Sequence, residues 1–212
     1  MSTRNYGQAC SVARFLDQLG SRWTLLIVRD LLVGPRRFKD LLMSAPSMGP
    51  NLLTERLRQL QDLGILEKAG SGSAGSYVLT EKGRSLEPVI LAMARWGLNH
   101  LPPDPARRGT SRPDLLVVAF RAAFNPARAA GVRETYAFHV DGVKFFARID
   151  DGKIDTSLGD AEDAAFVMTA DSETFDLLGS GELNIEHAMK RNLVNVTGDK
   201  KAFARFVDIF SA

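Results

Sequence analysis

The chain has 212 residues, 45% hydrophobic and 25% charged, which is enough apolar material for one large or two small domains and excludes a disordered chain. Its net charge of +2 conceals a division: residues 1–109 hold 15 Lys/Arg against 9 Asp/Glu (+6), and residues 110–212 hold 12 against 16 (−4). A basic half joined to an acidic half indicates two modules, the first suited to a polyanion; one cysteine excludes an internal disulfide framework, and with no apolar run of about 18 residues and no secretory signal the expectation is a cytoplasmic protein without membrane insertion.

Ser11 to Leu19 and Trp23 to Val33 read as helices, the second ended by Gly34-Pro35. Phe38 to Met43 reads as a short helix, and Ser44 to Gly49 as a tight connection. The stretch GPNLLTERLRQLQDLGIL, residues 49–66, is then a helix with two faces. Leu53, Leu57, Leu60 and Leu63 recur at helical spacing on one side, and Asn51, Glu55, Arg58 and Asp62 on the other. Pro50 suits the first helical position, where its missing N–H costs nothing. Gly64 suits a left-handed C-terminal cap, with Ile65 supplying the apolar contact beyond it. Two short helices so joined make a helix-turn-helix.

Ile65 to Lys68 and Tyr77 to Thr80 read as the strands of a hairpin that completes a winged helix. Gly70 to Gly75 fits the G-x-G-x-x-G pattern, but a strand follows where a dinucleotide site needs a helix, so the stretch reads as a wing tip. Glu81 to His100 reads as one long helix carrying Leu86, Val89, Ile90, Met93 and Trp96. The apolar helices flanking the small winged helix exceed what its core needs, and the surplus points to dimerisation.

Seven stretches in register carry a family resemblance. They are Cys10-Ser11-Val12, Leu19 to Thr24, Gly34 to Phe38, Leu53 to Leu57, Asp62 to Leu66, Tyr77 to Gly83 and Trp96-Gly97. Across about residues 8–100 the chain resembles the HxlR family of bacterial transcriptional regulators, relatives of the MarR group. The resemblance implies a homodimeric winged helix bound to a palindromic operator in double-stranded DNA. The sequence departs from the family pattern in having Gly49 where a serine usually precedes the helix proline, and a wing without its own arginine.

A helix of this kind fits the major groove and reads base edges from its N-terminal turns. Asn51, Thr54, Glu55 and Arg58 are its candidate readers: Asn pairs with adenine and Arg with guanine. Glu55 repels phosphate, so it accepts from a cytosine or orients a neighbouring arginine. Arg36, Arg37 and Lys39, before and within the first helix of the pair, and Lys68 in the wing are candidate phosphate contacts. Some regulators of this type sense oxidants through an N-terminal cysteine. That makes Cys10 a candidate redox sensor, with Arg14 one turn away to favour the thiolate; a small buried hydrophobe is the stronger reading of the residue itself.

Residues 101–113 read as a Pro- and Arg-rich linker. Beyond it, Leu115 to Phe124 reads as a helix. Strands are expected over Tyr136–Val140, Val143–Ile149, Ile154–Leu158 and Ala165–Ala170, with turns at Asp141-Gly142 and Asp151-Gly152. A helix capped by Asp171, a short helix from Ile185 to Arg191, a strand from Leu193 to Thr197 and a helix capped by Asp199 complete one antiparallel sheet with helices. Phe145 to Ile154, Thr174 to Leu183 and Val194 to Asp199 resemble sterol-carrier-protein-like domains over residues 114–212. That resemblance implies an apolar tunnel for lipids or fatty acyl groups. Eight of the twelve Phe follow Arg133, and Phe138, Phe166, Met168, Phe175, Met189 and Phe206 are candidate pocket residues, with core packing the competing reading.

The fold expected is α+β. It comprises an N-terminal winged helix-turn-helix domain with flanking dimerisation helices (1–100), a linker (101–113) and a sterol-carrier-protein-like sheet-plus-helices domain (114–212). No nucleophile-base-acid set stands out: His139 and Asp141 share a strand face without a third partner, and three scattered His with one Cys make no zinc site. The expectation is a ligand-responsive transcriptional regulator rather than an enzyme, with no cofactor or metal. Its partners are DNA, a second copy and a hydrophobic small molecule or lipid. The alternatives are a repressor whose second domain is structural or dimerising, and a lipid carrier whose winged helix contacts protein.

Overall fold

The structure is a computed structural model that describes residues 5–70, 75–102, 104, 106 and 112–211. Most of the wing tip (71–74) and of the linker (103, 105 and 107–111) lie outside the described residues. The chain forms two compact units, residues 1–90 and 91–212.

The first unit begins with α1 (Ser11–Leu19) and α2 (Thr24–Val33), joined through Trp23, which takes a left-handed φ of 78°. The strand β1 (Arg36–Arg37) leads into α3 (Phe38–Met43) and α4 (Pro50–Asp62). Pro50 opens α4 after Gly49, without a side-chain cap. At the other end Gly64 has φ +66°, its N–H donates to Gln61 O, and Ile65 N–H donates to Leu60 O. This is the Schellman arrangement, and it buries Ile65 to 3% exposure as the apolar stop. Leu53, Leu57 and Leu60 of α4 are buried with Ile27, Val28 and Leu31 of α2 and Leu41 of α3.

The wing strands are β2 (Leu66–Ala69) and β3 (Ser76–Leu79), in antiparallel register Leu66 to Leu79. β1 adds to the far side of β3, with Arg36 opposite Tyr77, giving the order β1-β3-β2. This third strand is too short to leave a pattern in the sequence. The long helix expected over Glu81–His100 is broken into α5 (Glu81–Arg84) and α6 (Glu87–His100). Pro88, in the first turn of α6, has no N–H to donate to Arg84 O and cannot continue the helix, and at Gly83 a Cβ would stand 2.0 Å from Ile65 O. α5 is thus pressed against the wing backbone, and Thr80 caps it through its side chain to Gly83 N. The chain must turn at Ser85-Leu86 before α6 can take its own direction.

The second unit holds the C-terminal part of α6, a 3-10 turn at Pro113–Leu115 and α7 (Leu116–Ala123). Then come β4 (Arg133–Val140), β5 (Val143–Asp150), β6 (Lys153–Leu158) and β7 (Phe166–Ala170). They are followed by α8 (Ser172–Gly179), α9 (Ile185–Lys190), β8 (Asn195–Gly198) and α10 (Lys200–Phe210). Asp141-Gly142 and Asp151-Gly152 both turn with two positive φ angles (47° and 79°; 47° and 78°), the geometry of primed hairpin turns. Asp171, Asn184 and Asp199 cap the helices after them through their side chains.

The sheet order is β6-β5-β4-β7-β8. It is mixed rather than antiparallel: β7 pairs parallel to β4, with Tyr136 opposite Phe166. After three hairpin-linked strands the chain leaves the β6 edge and returns beside β4, which forces that one parallel pair. Phe145, Ala147 and Ile149 alternate inward along β5, and α10 buries Ala202, Phe206 and Ile209.

Candidate nucleic-acid interface

The geometry of α4 divides its side chains into three sets. Leu53, Leu57 and Leu60 are at most 2% exposed and fix the helix to the unit's core. Asn51, Thr54, Glu55 and Arg58 are all exposed on the outer side. Between them, Arg56 and Gln59 lie on a flank and are partly buried. The four expected readers therefore share one solvent-facing surface on a helix of 13 residues.

Within that surface, Thr54 Oγ1 donates to Pro50 O at 2.9 Å, which leaves the oxygen's lone pairs free to accept. Glu55 is held by Arg56, Oε1 to Nη1 at 2.9 Å, so its charge is partly compensated within the helix. Arg37 and Lys39 are exposed at the start of α3, where Asp40 accepts from Arg37 N–H at 2.9 Å. Arg36 is drawn inward: it is half-buried, and its Nε donates to Asp30 O in the last turns of α2 at 3.4 Å. Lys68 is exposed on β2, and a Cβ on Gly75 would come within 2.7 Å of its Cε, so the lysine stem lies across that glycine.

Two of these features had no counterpart in the sequence reading. β1 places Arg36 and Arg37 on the wing sheet, paired with Tyr77 and Ser76. The flank residues Arg56 and Gln59, three apart, sit between the apolar and polar stripes and belong to neither. That intermediate placement is the signal that could have found them.

Cys10 is exposed, which corrects the expectation of a small buried hydrophobe. It precedes α1, and its thiol is held below the ordinary cysteine value by the backbone N–H of Ala13 first and of Val12 second. Arg14 is not among the causes.

In the second unit, Phe138, Phe166, Met168, Phe175 and Phe206 are buried together, whereas Met189 is 41% exposed and does not join them. Phe138 and Phe206 have ring centroids 5.4 Å apart, Phe166 and Phe206 5.5 Å, and Phe138 and Phe175 6.3 Å. Met168 stands opposite Phe138 in the β4–β7 register. Phe120 of α7 reaches five rings, among them Phe138 at 4.7 Å and Phe210 at 5.1 Å. Beside this cluster the Tyr136 hydroxyl donates to Glu134 at 2.8 Å, and Arg205 pairs with the same carboxylate. Burial first, and the Glu134 bond second, push Tyr136 far above the usual phenol range, so it stays protonated.

His139 and Asp141 do not share a strand face. Asp141 sits in the hairpin turn and accepts from Ser172 N–H at 3.0 Å, while His139 Nε2 lies 3.9 Å from Asp160. Among the described residues there is no group of three or more His, Cys, Asp or Glu able to hold a metal ion, and no helix long and apolar enough to cross a membrane.

Residues 18–105 match the HxlR-like helix-turn-helix family, and residues 119–211 match the SCP-2 sterol transfer family. Among curated relatives, the uncharacterized HTH-type transcriptional regulator sll1512 of Synechocystis sp. is 35% identical over 98 residues, 45% of this chain and 73% of that protein. The uncharacterized HTH-type transcriptional regulator MT3179 of Mycobacterium tuberculosis is 40% identical over 95 residues, 43% of this chain and 60% of that protein. The solved reduced form of the transcriptional regulator YodB from B. subtilis aligns at 32% identity over 46% of this chain and 99% of that one, with a TM-score of 0.39.

Proposed function

The chain belongs to the HxlR-like helix-turn-helix family, and on that premise we propose that this transcriptional regulator binds a palindromic operator as a homodimer and answers to a hydrophobic small molecule or lipid in its C-terminal unit. The observation that carries the reading is the split of α4: three leucines anchor one side in the core while Asn51, Thr54, Glu55 and Arg58 stand together in solvent. On this reading Asn51 and Arg58 read base edges, and Glu55 accepts from a cytosine amine while paired to Arg56. Arg37, Lys39 and Lys68 meet phosphates; Arg36 contributes charge from its braced position. The DNA partner makes the setting cytoplasmic.

Support for the homodimer comes from α6, where Val89, Met93 and Trp96 recur at spacings of four and three and are 37%, 53% and 56% exposed. On α1, Val12 and Leu16 are exposed at 66% and 39%. Apolar stripes of this kind on two helices suit an isologous interface between copies. Support for a hydrophobic effector comes from the match of residues 119–211 to a sterol transfer family. The close ring packing around Phe138 favours a second reading for that unit alone, a structural domain with a filled core.

The test is selection from a randomised duplex library by the purified full chain, followed by binding with and without a series of fatty acids. The proposed function predicts an enriched palindrome and a change in its affinity with one of the acids. Enrichment without any effector response leaves the regulator and favours the filled core.

A further inference from the structure

The flank of α4 carries a connection that the DNA-reading face alone does not explain. Arg56 is the α4 residue whose charge is largely withdrawn from solvent: its side chain is 15% exposed. Its Nε donates to Arg22 O at 3.4 Å, and its Nη1 donates to Glu55 Oε1 at 2.9 Å and to Gln59 Oε1 at 3.4 Å. Gln59 in turn donates from Nε2 to Gln18 O at 2.7 Å. Gln18 lies in the last turn of α1, and Arg22 in the turn that leads to α2. The last carbonyls of a helix have no partner within it. Here two side chains of the recognition helix reach one of them and the turn beyond. The bonds join positions 34 and 41 residues apart in the chain.

We propose that Arg56 and Gln59 are positioning residues that clasp the recognition helix to the end of α1 and, through Arg56, fix the carboxylate of Glu55. They set the angle and register of the reading face without touching DNA. The three bonds that meet at Arg56 use its planar fork, which a lysine cannot reproduce. Gln59 presents oxygen to Arg56 and nitrogen to Gln18, so the two residues act as one chain of bonds. The helix that reads DNA is therefore tied to the helix that exposes Val12 and Leu16, and a displacement of α1 reaches Asn51, Glu55 and Arg58 through this clasp. The inference rests on the DNA-binding reading above.

The experiment compares the full chain with Arg56→Ala, Arg56→Lys and Gln59→Met. The probes are the duplex enriched by the wild type from a randomised library and a scrambled duplex, each across a salt series. A clasp predicts that preference for the enriched duplex falls about tenfold in each variant, the size of one or two lost hydrogen bonds. It predicts unchanged affinity for scrambled DNA, an unchanged salt slope and no rescue by lysine. Effects of Arg56→Ala and Gln59→Met should be less than additive in the double variant, because they break one chain. A fall of about one in the salt slope with equal loss on both duplexes would make Arg56 a phosphate contact and overturn the proposal. Unchanged preference in Gln59→Met, a variant of near-equal volume, would overturn it as well. A wild-type chain that enriches no sequence at all would contradict the DNA-reading assignment itself, and the clasp would fall with it.

Discussion

At the scale of single residues, exposure and partners separate the solvent-facing polar side chains, proposed above as readers and phosphate contacts, from those braced by other groups of the chain. Asn51 and Arg58 are exposed on the outer side of α4. Replacing either with alanine should cost about 1–3 kcal/mol on the preferred duplex and relax preference at one base position. Lys39→Ala should instead weaken all duplexes alike and lower the salt slope by about one. Binding titrations over a salt series separate the two outcomes. A second prediction concerns acid. Hydrogen bonds from Thr174, side chain first and backbone second, hold the Asp171 carboxyl below the ordinary aspartate value. A group with a depressed folded pKa stabilises fully above its unfolded value, about 3.9, and loses that contribution as pH falls through the folded one. Asp171→Asn keeps a capping oxygen but does not titrate. Its stability should therefore fall less steeply than the wild type's as pH is lowered below about 4, by chemical denaturation; parallel curves would show that the carboxylate contributes nothing. The exposure of Asn51, Thr54, Glu55 and Arg58 was legible because amphipathic spacing fixes which side of a helix is buried. The pairing of Glu55 with a neighbouring arginine was one of the two readings the sequence offered; the bracing of Arg36 on Asp30 O, and the anchoring of Arg56 to Arg22 O, were not legible, since both depend on groups placed by tertiary packing.

At the scale of elements, local chemistry decided the ends, and non-local contacts decided the close approaches and the strand order. Pro50 at the start of α4, Gly64 and Ile65 at its end, the two Asp-Gly turns and the Asp171 and Asp199 caps all act within a few residues, and each was readable in the sequence. The interruption between α5 and α6 was readable in the same way, at Pro88; the need for glycine at 83 was not, because it is set by Ile65, 18 positions earlier, whose carbonyl occupies the space of a side chain. Gly83→Ala should cost about 1–3 kcal/mol, the range for overpacking, unless α5 moves off the wing. Urea unfolding with an unchanged slope would give the value; a neutral result would mean that the contact yields freely. The parallel β4–β7 pair was hidden for the same reason, since strand order is set by where the chain re-enters the sheet. The phenylalanines of the second unit were found as a group, but whether such a group lines a space or fills one depends on ring-to-ring distances that no spacing in the sequence reveals.

At the scale of the whole molecule, the chain joins an HxlR-like helix-turn-helix unit to a unit matching a sterol transfer family, and the division between the two compact units falls within α6. The apolar stripe of that helix makes a prediction about assembly. Trp96→Ala should weaken self-association by about 2 kcal/mol, as expected for a large aromatic at an interface centre, and sedimentation over a concentration series would measure it. An unchanged monomer–dimer equilibrium would move the interface elsewhere. On the proposed function, the exposed side of α4 reads DNA sequence for a paired chain. The most direct test is the affinity and stoichiometry of the wild-type chain on its library-selected duplex and on a scrambled one, in the same salt. Two chains per selected duplex and a preference of about 10³-fold or more are expected; equal, weak binding to both duplexes would contradict that role of α4.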